Sequence, residues 1–287
     1  FTNLKFTSMD YPQLGNNELI IETKAATLNF ADLLLSGGMY QSNPERPFVP
    51  GFEVAGYIKE CSPESSFSVG ERVVAATTVF RSGRYGSFGE VCVASENLAY
   101  KLPDNISFEV GAAILMSYLT SDFALHRRAQ LKPNELVLVN AAAGGVGLSA
   151  VQLAKISGAK VIAAVGSEEK KKLVKQFGPE LVINYQKEDI KEIVENKYGK
   201  RPVNVFYDQV GGEAYEQGVK LLSSEGKALI VVSSETQELL KVSDRIAVMS
   251  NGRLAGIFNA NDLTEEKLLE ASFSFYSSEE TRMESIQ

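Results

Sequence analysis

The chain has 287 residues, of which 44% are hydrophobic and 23% charged. This excludes a disordered or fibrous protein and leaves room for two globular domains with their own cores. The formal net charge is -7, and Lys and Arg gather in no long stripe, which argues against a nucleic-acid backbone or an anionic membrane as partner. No run approaches the roughly 18 apolar residues of a membrane span and the start lacks a signal-peptide pattern, so a cytoplasmic protein is expected.

From Leu4 to about Lys101 the pattern is short apolar runs cut by glycine and proline, among them Leu19 to Ile21, Phe48 to Gly56, Val73 to Ala76 and Val91 to Val93. Short strands with frequent turn signals predict a small β-barrel-like domain over residues 1–106. Helical spacing follows, through Val110, Ile114, Leu115, Leu119, Phe123 and Leu125, and predicts a connector over 107–129. Cys61 and Cys92 lie far apart with no CxxC partner, so buried reduced thiols are expected in place of a disulfide. The chain opens at Phe1 without a Met, which leaves room for residues before it.

The next domain, over 130–258, alternates strand and helix. Leu136 to Val139 reads as a buried strand, Gly147 to Ile156 as a helix stopped by Gly158, and Val161 to Val165 as a second strand. A helix follows from Ser167 to about Phe177, then strands at Leu181 to Ile183 and Val203 to Tyr207. Continuous apolar strands separated by amphipathic helices predict an α/β fold with a doubly wound parallel sheet.

The loop Asn140 to Gly147, sequence NAAAGGVG, joins the first of these strands to its helix, where a GxGxxG turn would hold a pyrophosphate against a helix N-terminus. Ala142 takes the place of the first glycine, Gly144 and Gly145 let the backbone come close, and Gly147 lets helix and strand pack. Ala142, Ala143, Gly144, Gly145, Val146 and Gly147 are therefore the candidate phosphate-binding residues. A nucleoside-triphosphatase loop would need Lys and then Ser or Thr after the last glycine, and Leu148 and Ser149 stand there.

Beyond the second strand an NAD site would place an acid on the ribose hydroxyls; Gly166 and Ser167 occupy that tip. Ser167 can donate to a 2′-phosphate and Lys170 can supply the charge, which favours NADPH, with NADH possible. Glu168 and Glu169 cut against this, although carboxylates also suit the first turn of a helix capped by Ser167.

Several motifs in order match one family: LNFADLLLSGGMY at Leu28 to Tyr40, PFVPGFEVAG at Pro47 to Gly56, AAAGGVG at Ala141 to Gly147, VINY at Val182 to Tyr185, and YDQVGG at Tyr207 to Gly212. From about Leu4 to Leu222 the chain resembles the zinc-free quinone oxidoreductases, related to zeta-crystallin, of the medium-chain dehydrogenase/reductase superfamily. The resemblance implies a GroES-like barrel catalytic domain and a Rossmann domain. It also implies hydride transfer from NADPH to a quinone or α,β-unsaturated carbonyl in the cleft between them, and a homodimer. Zinc-dependent relatives would place Cys near Asn29 and His within GHE; here stand Asn29 and, in Gly51-Phe52-Glu53, a phenylalanine.

No metal is expected, and the only histidine, His126, reads as a surface or packing residue. The resemblance further implies that Asn29 and Tyr40 line the nicotinamide and substrate pocket and that Thr120 touches the nicotinamide. Tyr185, Lys170 and Ser167 would surround the adenosine phosphate. Each has a plainer reading: Asn29 as a helix cap, Tyr40 as packing, and Asp32 and Glu53 as structural hydrogen-bonding groups.

After Leu222 the pattern changes. SDRIAVMSNGRLAG at Ser243 to Gly256 and LTEEKLLEAS at Leu263 to Ser272 resemble the C-terminal end of an ABC sugar-importer ATPase subunit, giving a chimera-like, atypical C-terminal segment. Its pattern predicts a strand at 228–232, a helix at 235–240, and a hairpin of strands 245–249 and 254–258 around Asn251-Gly252. These would supply a fifth and sixth strand of the sheet. A short helix from Asp262 or Thr264 and a disordered tail complete 259–287. Two other functions therefore stand beside the reductase: an inactive NADPH binder, and an ABC-type ATPase fragment, which lacks the lysine-bearing phosphate loop.

Overall fold

The computed structural model describes residues 4–40, 44–209, 211–224, 245–250, 253–259, 262–264, 267, 270 and 271. The chain divides into two compact units between Phe123 and Ala124. The boundary falls within the helical stretch that the periodicity marks as a connector.

In the first unit β1 (Glu18–Ala26), β2 (Glu53–Cys61), β3 (Arg72–Thr77) and β4 (Val91–Lys101) close into an antiparallel barrel in the order β1-β2-β3-β4. Closure pairs β1 with β4, Ile20 opposite Val93. Alternation fills the interior: Leu19 and Ile21 from β1 meet Val54 and Ile58 from β2, Val73 and Ala75 from β3, and Cys92 and Ala94 from β4. Cys92 is buried and its thiol is pushed up to about 12 by loss of solvent, which makes it the inert thiol expected from its apolar neighbours.

Between β1 and β2 runs α1 (Phe30–Ser36), and after the barrel come α2 (Phe108–Ala112) and α3 (Leu115–Asp122). Ser107 starts α2 by accepting from the Val110 N–H at 3.3 Å, the N-cap role of a serine hydroxyl. The predicted single helical stretch is thus broken near Ala113, and Phe123–Arg128 continues it as a π-helical turn.

In the second unit β5 (Leu136–Val139), β6 (Lys160–Val165), β7 (Leu181–Asn184) and β8 (Val205–Tyr207) form a parallel sheet in the order β7-β6-β5-β8. The helices are α4 (Gly145–Ile156), α5 (Glu168–Lys175), α6 (Ile190–Tyr198) and α7 (Gly212–Lys220). Alternate positions along each strand feed different cores. Val137, Val139, Val161, Ala163 and Val165 pack with Val151 and Ala154 of α4 and Val174 of α5. Leu136, Leu138, Ile162, Ala164 and Ile183 pack with Ile190 and Val194 of α6 and Tyr215 of α7. That split is why the strands read as unbroken apolar runs: both faces are covered.

Strands β9 (Arg245–Ser250) and β10 (Arg253–Asn259) pair antiparallel as a two-stranded sheet of their own. The sequence pattern predicts this hairpin, which together with the strand expected at 228–232 would supply a fifth and sixth strand of the sheet; among the described residues β9 and β10 pair only with each other. A two-residue connection makes antiparallel neighbours, as the Asn251-Gly252 pair in the sequence leads one to expect. Ile246 and Leu263 are buried together, with Ala255 and Phe258 against them. The expected strand at 228–232, helix at 235–240, turn at 251–252 and tail beyond 272 lie outside the described residues.

Helix α7 approaches the sheet closely at Gly218, where an added Cβ would stand 2.3 Å from the Phe206 ring. Gly218→Ala is therefore expected to destabilise the second unit by about 1–3 kcal/mol despite alanine's better helix propensity. Thermal unfolding of the variant at or above the wild-type midpoint would contradict that packing.

Candidate functional site

The glycine loop turns at a residue the sequence pattern does not single out. Ala141 adopts φ 48°, a left-handed conformation that costs a non-glycine residue about 1 kcal/mol. It is held there on both sides: its N–H donates to Asn140 Oδ1 at 2.8 Å, and its carbonyl accepts from the Gly144 N–H at 2.9 Å. Ala142, fully buried, donates its N–H to the Ala164 carbonyl at 3.0 Å and ties the loop to the end of β6.

Helix α4 then begins with Gly144 as N-cap, and no side chain caps it. Gly144 and Gly145 are exposed, Ala143 and Val146 half-buried, and Gly147 buried. A Cβ on Gly147 would lie 2.3 Å from the Ala141 carbonyl and 2.7 Å from Gln209 Nε2, so only glycine lets the helix sit this close to the turn. The result is an exposed helix N-terminus whose backbone amides and dipole suit an anion.

Beneath the loop lies a polar group that motif reading missed. Asn140, buried at the end of β5, donates from Nδ2 to Asp208 Oδ1 at 2.5 Å, and Asp208 Oδ2 accepts from the Gly211 N–H at 2.9 Å. Asp208 follows directly on β8. The signal was present: two polar residues closing two apolar strands mark the carboxyl edge of a parallel sheet, where such folds bind ligands.

At the ends of β6 and β7, Gly166 faces the Tyr185 ring, and a Cβ there would stand 2.9 Å from the phenol oxygen. Ser167 caps α5, its Oγ accepting from the Lys170 N–H at 3.2 Å. Lys170 is exposed. The structure therefore gathers Gly166, Ser167, Lys170 and Tyr185 at one sheet edge.

In the first unit Asn29 and Tyr40 flank α1. The Asn29 N–H donates to Asp32 Oδ2 at 2.8 Å, one half of a capping box. Its side chain does something further: Nδ2 donates to Glu53 Oε1 at 2.9 Å, and Glu53 Oε2 accepts from the Met116 N–H at 2.9 Å. Glu53 is fully buried, and loss of solvent raises its carboxyl above the usual range against the pull of those donors. The cap reading of Asn29 and the hydrogen-bonding reading of Glu53 thus hold together, and the carboxylate ties α1 to α3. Thr120 stands exposed on α3, one turn beyond Met116.

Tyr40 packs edge-on against Phe52, ring centres 5.0 Å apart. Burial, then the neighbouring Asp32 carboxylate, raises its phenol pKa. His126, in the second unit, lies 2.7 Å through Nε2 from Ser157 Oγ, which suits its packing role.

The zinc positions of the related enzymes hold no zinc ligand. The Asn29 amide nitrogen is committed to Glu53, and Phe52 is a buried ring. Among the described residues no group of three His, Cys, Asp or Glu side chains could hold a metal ion.

A closed barrel followed by a parallel sheet with a glycine turn defines a two-domain dehydrogenase. The alcohol dehydrogenase GroES-like domain model matches residues 15–104, and the zinc-binding dehydrogenase model matches 145–274. Quinone oxidoreductase-like protein 2 of Rattus norvegicus is 32% identical over 247 residues, covering 85% of this chain and 69% of its own. The quinone oxidoreductase of Pseudomonas syringae superposes with a TM-score of 0.68 at 35% identity, covering 77% of this chain and 67% of that one. A mycobacterial protein solved in complex with NADPH gives 0.70 at 32%, covering 83% and 74%. The chain belongs to the medium-chain dehydrogenase/reductase superfamily, with quinone oxidoreductase-like proteins among its relatives. The dehydrogenase match runs on to residue 274, across the segment that resembles an importer ATPase, and that second resemblance gains no support.

Asp32 is 1% exposed, and its pKa is raised from 3.8 to about 6 by loss of solvent, against backbone donors including the Asn29 N–H. Between about pH 4 and 6 the folded chain holds this proton and the unfolded chain has lost it. Asp32 thus costs stability progressively as pH rises through that window, up to about 3 kcal/mol above it. Asp32→Asn is expected to gain stability relative to wild type as pH rises from 4 to 6, then level off. Denaturant midpoints differing by a constant amount across that range would contradict the assignment.

Proposed function

We propose that this chain is a zinc-independent oxidoreductase that passes hydride from NADPH to a quinone or an α,β-unsaturated carbonyl. The observation that carries the reading is the glycine turn, which leaves the N-terminus of α4 exposed and uncapped beside Gly144 and Gly145. Ala142, Ala143, Gly144, Gly145, Val146 and Gly147 would hold the pyrophosphate there. Gly166, Ser167, Lys170 and Tyr185 would take the adenosine phosphate, because a hydroxyl and a lysine stand where an NAD site would place an acid. NADH is the weaker cofactor on this reading.

When bound, the reduced nicotinamide supplies the hydride. Asn29, Tyr40 and Thr120 are assigned to the nicotinamide and substrate pocket. The Asn29 side chain is held by Glu53 and by the capping box at the start of α1, which fixes the direction of its amide. None of these residues is assigned a proton transfer; their work is to orient the reacting groups and exclude water. The homodimer and the cytoplasmic location implied by the sequence belong to the same proposal.

A second reading, an NADPH-binding protein without turnover, is favoured by one observation: β9 and β10 form a separate hairpin and do not extend the parallel sheet. The ATPase reading has none, since Leu148 and Ser149 follow the last glycine.

Fluorescence titration with NADPH, followed by addition of a simple quinone while the absorbance of reduced nicotinamide is recorded, separates them. Binding with oxidation is the expected result. Binding without oxidation leaves the second reading, and no binding overturns both. Gly147→Ala, which sets a Cβ against the Ala141 carbonyl, is expected to weaken NADPH binding by about tenfold or more. NADH binding as tightly as NADPH would overturn the roles of Ser167 and Lys170.

A further inference from the structure

Helix α5 opens with Ser167-Glu168-Glu169-Lys170, an awkward start for a site that takes a phosphate monoester. A free carboxylate beside the ribose favours an unphosphorylated cofactor and repels a 2′-phosphate. The structure shows where the first of these acids is held. Glu168 Oε1 accepts from Asn184 Nδ2 at 2.6 Å, and Asn184, the last residue of β7, is 1% exposed.

The Asn184 amide has little freedom to release it. Its Oδ1 accepts from the Gln186 N–H at 3.2 Å, and its own N–H donates to Glu188 Oε2 at 2.7 Å. The same Glu188 oxygen takes Lys171 Nζ at 2.6 Å. A helix turns about 100° per residue, so Glu168 and Lys171, three apart, leave the same side of α5 and meet Asn184 and Glu188. Lys170, two residues from Glu168, leaves the opposite side. It is exposed and makes no ion pair among the described residues. The charges at this sheet edge are thereby sorted: one acid and one lysine are tied to the end of β7, and Lys170 is left to face a ligand.

We infer that Asn184 is a positioning residue for cofactor specificity, which holds the Glu168 carboxylate off the adenosine-phosphate site and so lets this acidic helix start accept NADPH. The inference rests on the NADPH reading above. It gives the asparagine of the VINY motif a task distinct from that of Tyr185 beside it. Removing the amide frees a negative charge next to the phosphate, and removing the charge as well makes the amide dispensable.

The test is a double-mutant cycle read as the ratio of NADPH to NADH dissociation constants. Asn184→Ala is expected to weaken NADPH by about three- to tenfold, the effect of one unit charge at partly solvated range, and NADH by less than about twofold. Adding Glu168→Gln should bring NADPH back to within about twofold of wild type. If Asn184→Ala does not fold, Asn184→Ser, which also removes the amide donor, takes its place with the same expected loss. Glu168→Gln alone removes an exposed charge and is the control for the cycle. It should change the ratio no more than Glu169→Gln does. A severalfold gain in NADPH affinity from Glu168→Gln alone would show the carboxylate already at the phosphate and overturn the inference. Equal loss of both cofactors in Asn184→Ala, unrescued by Glu168→Gln, would reduce Asn184 to a structural residue. A wild-type protein with no preference for NADPH overturns the NADPH reading and this inference with it. A preference that none of these variants alters overturns the inference alone.

Discussion

The approach of Gly147 to the Ala141 carbonyl is the contact on which the second unit's candidate site depends. Any side chain there would push α4 away from the end of β5. With it, the helix starts directly over the turn, with Gly144 as N-cap and no side chain covering it. The left-handed Ala141 that makes this possible is strained, and the strain is held by the Asn140 side chain, itself fixed by Asp208. The open helix terminus is therefore the outer end of a chain of contacts that begins in the buried carboxyl edge of the sheet.

The first unit uses buried carboxylates for a similar purpose. Glu53 joins the cap of α1 to the first turn of α3 through two donors, Asn29 Nδ2 and the Met116 N–H. Asp32 closes the box at Asn29 from within α1. Both groups lose solvent and both have raised pKa values. A carboxyl in this condition stabilises less than it constrains, and what it constrains here is the direction of the Asn29 amide. At the other position where zinc relatives would carry a ligand, the Phe52 ring packs edge-on against Tyr40.

Much of this was legible in the chain. The shift from short glycine-cut runs to alternating strand and helix marked two units, and the double burial of β5 and β6 followed from their unbroken apolar sequence. Less legible was the end of the chain. An Asn-Gly pair between two apolar runs announced the β9–β10 hairpin, but hairpin chemistry is local and says nothing of which sheet it joins. The resemblance of that segment to an importer ATPase rested on short matches alone, while the dehydrogenase match extends through it.

The sequence by itself determined the fold class, the glycine turn, the vacant acidic position beyond the second strand and the unsuitability of Asn29 and Phe52 as zinc ligands. Those properties belong to residue types at short spacing. Tertiary structure alone decided which side chains meet. Asn140 finds Asp208 across 68 residues, Asn29 finds Glu53 across 24, and Asn184 finds Glu168 across 16. The first and last of these pairs depend on the strand order β7-β6-β5-β8, which sets strand ends distant in the chain side by side. A periodic pattern reports which face of a strand is buried but not its neighbour, so the polar groups around the glycine turn became a site only once the sheet was assembled.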